Sequence, residues 1–186
     1  MSRIPMVDPA SLDGELGRYR DEQPDGKLDV FSLIATAPTC AMPYLTFMKA
    51  TFGQLELTNA ERELAVLAVS HLESAQYEWL QHVEVARMIG IADIKVAAIG
   101  AGFAAQGPFS DKEWALLEFV RAVVREVRVN DATYAAMARH FPPRQIVETI
   151  TLVGGYMTLG RLTEVAEMRE DKILGPEVFR AAQVVR

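Results

Sequence analysis

The chain has 186 residues, enough for one domain with a sizeable core and too few for two ordinary ones. Half of the residues are hydrophobic and 24% are charged, a balance that excludes a disordered or collagen-like chain. With 25 acidic against 19 basic residues the formal charge is -6, the wrong sign for gripping a phosphate backbone, so nucleic acid is not expected as a partner.

Apolar residues recur at intervals of three and four instead of alternating, which predicts an all-α chain. From Met1 to Pro9 there is no apolar run of signal-peptide length. No later stretch reaches the ~18 apolar residues that cross a bilayer, so no membrane association is expected. Asp8 and Pro9 read as an N-cap and first helical position opening a short amphipathic segment to about Arg20. Asp21 to Lys27 reads as a loop, making 1–27 an N-terminal extension of a single domain over 1–186. Pro38 and Pro43 each remove an amide donor from the apolar run Val30 to Gln54, which predicts two short helices with a bend between them. The lone cysteine in that run, Cys40, can form no disulfide within the chain and reads as an inert buried thiol, in keeping with the cytoplasm.

Thr58 and Glu61 have the spacing of a capping box, as do Ser110 and Glu113 before the periodic run Trp114 to Val127. Gly90 and Asp93 separate a helix ending near Ile89 from another over Ile94 to Gly100. Asn130 and Pro142–Pro143 bracket two more helices, the last running from Gln145 through Met168. Gly175–Pro176 is expected to end the packed part and leave 175–186 as a tail.

Chemistry concentrates at Glu78 and His82, which are four residues apart and so share one helical face, at the margin of an apolar stripe continued by Val85 and Ile89. Desolvation there raises a carboxyl pKa, and pairing with the imidazole opposes the rise. Glu63 lies fifteen residues before Glu78, or ~22 Å along an unbroken helix. A turn between Leu72 and Gln76, with Ser74 capping the second helix, is needed to bring it back, and spacing alone leaves open whether it reaches the pair. The plainer alternatives are a solvated Glu78–His82 surface pair and a charged helix start at Glu61, Arg62 and Glu63. His71 reads as a core or interface histidine, His140 as a helix-end residue, and Trp79 as packing. Tyr77 reads as packing too, and is the aromatic candidate for a substrate contact. Two glutamates and one histidine at these spacings make no convincing ligand set, so neither a metal nor a cofactor is expected.

Arg62–Glu63–Leu64 at the head of one helix, followed by Tyr77–Glu78–Trp79, His82 and Gly90, resembles the carboxymuconolactone decarboxylase family, which includes the alkylhydroperoxidase D-like proteins. A looser likeness extends from about Phe31 to Val165. The resemblance implies an alkylhydroperoxidase D-like helical bundle, assembled as a homotrimer or homohexamer with its pocket near a subunit interface. The peroxidase branch carries Cys-x-x-Cys where this chain has Ala75 and Glu78, so the likeness is to the non-redox members. It implies decarboxylation, or a related proton transfer, on a small carboxylated lactone or ring-derived compound. In that scheme Glu63, Glu78 and His82 are catalytic: His82 delivers the proton, Glu78 holds its tautomer and Glu63 is the second carboxylate of the relay. An anionic substrate also requires a cation, for which Arg161 and Arg87 are candidates. Two other functions fit the sequence: a peroxidase-like antioxidant protein using Cys40 with a partner thiol, and a non-catalytic oligomer that binds a small molecule.

Overall fold

In the computed structural model, which describes residues 2–168 and 172–183, the three-and-four spacing resolves into ten α-helices among the described residues, with no strand among them. They are α1 (Gly14–Glu22), α2 (Asp29–Ala35), α3 (Pro38–Gly53), α4 (Asn59–Leu72), α5 (Gln76–Met88), α6 (Asp93–Gly100), α7 (Asp111–Glu126), α8 (Asp131–Ala138), α9 (Pro143–Val165) and α10 (Gly175–Gln183). Short 3-10 turns cover Pro9–Ser11 and Pro24–Lys27, so the stretch expected to be a loop is partly helical.

Both capping boxes form. Thr58 Oγ1 accepts from the Glu61 amide while the Glu61 carboxylate accepts from the Thr58 amide, and Ser110 and Glu113 repeat the exchange at α7. Leu64 to Val69 is apolar on every side, and a helix of that kind has to be covered all round. Accordingly α4 runs through the core and packs against α5, α7 and α9. A second apolar cluster joins Tyr19, Leu28, Phe31 and Ile34 to Ala41, Leu45 and Tyr77, so part of the 1–27 extension is packed onto the bundle.

Three local readings are corrected. Pro38 starts α3, but Pro43 lies inside it without ending it; the carbonyl it leaves without an amide belongs to the exposed Thr39, where water can serve as partner. Ser74 does not cap α5. It takes a left-handed φ of 57° in a Schellman turn, in which the Ala75 amide donates to Ser70 O and the Ser74 amide to His71 O, while Glu164 of α9 accepts the Gln76 amide at 2.8 Å. The turn between Leu72 and Gln76 is therefore present, closed from across the fold. Residues 175–183 are not a tail: α10 sets Phe179 edge-on to Phe52 at 6.3 Å and contacts α3 and α5.

The start of α10 hangs on one side chain. Gln81 of α5 accepts from the amides of Leu174 and Gly175 at 3.0 and 2.9 Å, and its amide donates to Lys172 O at 2.9 Å. A Cβ on Gly175 would fall 2.5 Å from Gln81 O, a contact with backbone that cannot swing away. Gly175→Ala should destabilise the fold by about 2 kcal/mol, lowering Tm by roughly 4–8 °C, as thermal unfolding would measure.

Candidate active site

The α4–α5 turn brings the first turn of α4 against the middle of α5, and Arg62 and Glu63 are almost fully buried there, not part of a charged surface. Arg62 donates from Nε and Nη2 to Glu63 Oε1 at 3.0 and 2.7 Å, and from Nη1 to Phe52 O. Its guanidinium lies over the rings of Phe52 and Phe179. The other carboxylate oxygen, Glu63 Oε2, is 2.6 Å from His82 Nδ1, and His82 Nε2 is 3.0 Å from Tyr156 Oη on α9. Arg62, Glu63, His82 and Tyr156 thus form one buried line.

Burial alone would push the Glu63 carboxyl up, but the facing His82 and Arg62 outweigh it and hold the group below the usual carboxylate range. An ionised Glu63 fixes the hydrogen of His82 on Nδ1, leaving Nε2 to accept from the Tyr156 hydroxyl. Once the imidazole takes a second proton, Nε2–H donates to Tyr156 Oη, which frees the phenolic hydrogen to turn elsewhere. Burial, then Glu63, raise the Tyr156 pKa well above its ordinary value, so Tyr156 acts as a hydroxyl and not as a phenolate.

Glu78 takes a different place from the one expected. It makes no hydrogen bond to His82 among the described residues; both of its oxygens meet Thr163 Oγ1, at 3.1 and 3.0 Å. The orienting carboxylate of His82 is Glu63, because Nδ1 faces back across the α4–α5 turn while Glu78 faces α9. Burial pushes the Glu78 carboxyl up to about 7, against the opposing pull of Thr163 and His82. Thr163 suits either protonation state. Its hydroxyl can donate to the carboxylate, or donate to Gly160 O at 3.1 Å while accepting from the protonated acid.

Glu78 and His82 line a cavity of about 130 Å³ with Tyr44, Phe52, Tyr77 and Tyr156 among its walls. Tyr77 is thus where a substrate contact would be. The two arginines are not: Arg161 pairs with Glu73 at 2.7 Å, and Arg87 with Glu84 and Asp93 at 2.5 and 3.3 Å, all outside the cavity lining. Cys40 also lies outside it and is exposed, not buried, because Pro38 starts α3 at the surface. His71 sits between the rings of Trp79 and Phe103. Among the described residues no three His, Cys, Asp or Glu side chains are grouped so as to hold a metal ion, and no helix is long and apolar enough to cross a membrane.

Tyr156 and Thr163 escaped the sequence reading because they lie 74 and 85 residues from their partners. One signal for them existed: Tyr156, Gly160 and Thr163 fall at i, i+4 and i+7 on α9, a face with two hydroxyls and a glycine that lets Ala75 approach.

Comparison with known proteins agrees with this fold. A structure described as an alkylhydroperoxidase AhpD core, an uncharacterised peroxidase-related protein from Ralstonia eutropha JMP134, superposes with a TM-score of 0.80 at 20% identity, covering 98% of this chain and 96% of that one. A putative antioxidant defence protein AhpD from Agrobacterium tumefaciens gives 0.68 at 18% identity, over 74% of this chain and 95% of that one. A substituted form of the debrominase Bmp8, in complex with 2,3,4-tribromopyrrole, gives 0.76 at 14% identity, over 97% and 98%. No protein of curated function matches the sequence. The chain has an AhpD-like all-helical fold. Its residues 41–122 match the carboxymuconolactone decarboxylase family. That segment contains Arg62, Glu63, Glu78 and His82, while Tyr156 and Thr163 lie beyond it.

Since Glu78 is raised from an ordinary 4.5 to about 7, the native state binds more protons than the unfolded chain between those values, and this group makes stability fall as pH rises through that window. The full effect is about 3 kcal/mol. Glu78→Gln should flatten that part of the pH dependence in urea unfolding, and Thr163→Val, which withdraws a donor from the carboxylate, should shift its midpoint further up.

Proposed function

We propose that the protein is a cofactor-free acid/base enzyme that decarboxylates, or moves a proton on, a small carboxylated lactone or ring-derived substrate. The observation that carries this reading is a carboxyl poised at about 7 in an aromatic-walled cavity, one helical turn from a histidine whose two ring nitrogens are both engaged. When a carbon–carboxylate bond breaks, carbon dioxide leaves and the bonding electron pair stays on the ring-derived carbon or on an oxygen conjugated with it. The protonated Glu78 carboxyl delivers its proton there, and the resulting carboxylate is met by the Thr163 hydroxyl. His82, held by Glu63, places the Tyr156 hydroxyl beside the same cavity, where it can donate to the developing negative charge once Nε2–H has become the donor to Tyr156 Oη. The assignment departs from the sequence expectation in making Glu78 the acid and Glu63 the orienting group. Cys40, exposed and outside the cavity lining, lends no support to the peroxidase reading.

We also propose a cytoplasmic homotrimer or homohexamer. Exposed Val147, Ile150 and Val165 along α9 support burial of that helix between subunits. Sedimentation equilibrium at micromolar concentration should give a mass of three or six chains.

The test of the chemistry is carbon dioxide release from a panel of small carboxylated lactones. Glu78→Gln should lower kcat/KM by ~10²–10⁴-fold and His82→Ala should also lower it, with wild-type activity falling as pH rises through about 7. A folded Glu78→Gln chain with full activity would overturn the assignment.

A further inference from the structure

The cavity has a second polar cluster, apart from Glu78 and His82. Gln23 and Asp25, flanking the start of the 3-10 turn Pro24–Lys27, line it together with Lys49 of α3. Among the described residues Lys49 is the one lysine or arginine that lines the cavity, and its partner is neutral, as is that of Lys27, which donates to Asp21 O outside the lining. Lys95 lies 2.6 Å from Glu113 and Lys112 2.5 Å from Glu61, so each is neutralised by a carboxylate. Lys49 is half-buried, and its hydrogen bond runs to the neutral side-chain oxygen of Gln23 at 3.0 Å; among the described residues no carboxylate oxygen lies within 4.0 Å of it. Asp25, the nearby acid, is attracted to the Lys49 charge but makes no contact ion pair with it, and accepts from the Tyr19 hydroxyl at 2.6 Å. An ammonium carries three donors, so two remain for a ligand. A partly desolvated cation in an apolar-walled cavity, with its charge not cancelled by a direct ion pair, is arranged to receive an anion, and a charge-assisted hydrogen bond is about twice as strong as a neutral one.

We propose that Lys49 is the anion-binding residue of this cavity, gripping the carboxylate of an organic acid whose apolar part lies along Phe31, Leu45 and Phe52. This rests on the acid/base reading above and deepens it: Lys49 takes the part first assigned to Arg161 and Arg87. Gln23 positions the ammonium, and the substrate class narrows to small, mainly apolar acids with the anionic group at the α3 wall.

The probes are benzoate and its neutral isostere benzamide, titrated calorimetrically into the full chain at pH 6. Wild type should bind benzoate at least about tenfold more tightly. Lys49→Met should lose that preference with benzamide affinity unchanged, and Lys49→Arg should keep it. Equal binding of the two probes by wild type, binding of neither, or a preference that survives in Lys49→Met would overturn the proposal. If Lys49→Met loses benzamide as well, the Lys49→Arg chain decides: a retained preference supports the assignment and a lost one overturns it. The readout is selectivity of binding and not turnover, so a preference retained in a Glu78→Gln chain separates failure of the proposed acid from failure of the anion site.

Discussion

A carboxylate with no solvent exposure, Glu63, is the constraint on which the rest of this structure depends. An isolated ionised carboxyl cannot be buried at such depth without a large loss of hydration, so the fold has to surround it with donors. Arg62 supplies two, His82 a third, and Arg62 is in turn covered by the Phe52 and Phe179 rings and tied to Phe52 O. Meeting these demands fixes the angle between α4 and α5, the position of α3 at its C-terminal end and the docking of α10. Site geometry and packing are here one set of contacts, since the group that orients His82 is also the one that would be most costly to leave unpaired.

The two glutamates show how environment separates identical side chains. Glu63 faces three nitrogen donors and is held ionised; Glu78 faces a threonine hydroxyl and apolar walls, and is poised to exchange a proton near neutrality. The separation comes from partners on different helices, since both residues are buried.

What could be read from the sequence follows the range of each physical signal. Capping boxes and the turn after Leu72 are written in a few adjacent residues, and they were legible. The triad of Glu63, Glu78 and His82 was legible as a set, through spacing and family resemblance. Its wiring was not: whether His82 Nδ1 meets Glu63 or Glu78 is decided by how α5 rotates against α4 and α9, and no local pattern encodes that rotation. The same applies to Gln81, an ordinary polar residue on α5 until Lys172, Leu174 and Gly175 arrive to use it. Pro43 and Cys40 failed the reading in the opposite way, because local rules applied to an apolar stretch assumed a burial that the position of α3 does not provide.

The make-up of the cavity wall has an evolutionary consequence. Tyr19, Leu28 and Phe31 come from before the family-matched segment, and Val178 and Ala181 from after it, whereas Glu63, Glu78 and His82 all lie within it. Part of the wall is thereby carried outside the stretch that holds these three ionisable side chains, while Tyr44, Leu45 and Tyr77 lie within it and Tyr156 beyond it. Changes in the two flanking stretches can therefore reshape part of the cavity while Glu63, Glu78 and His82 keep their places.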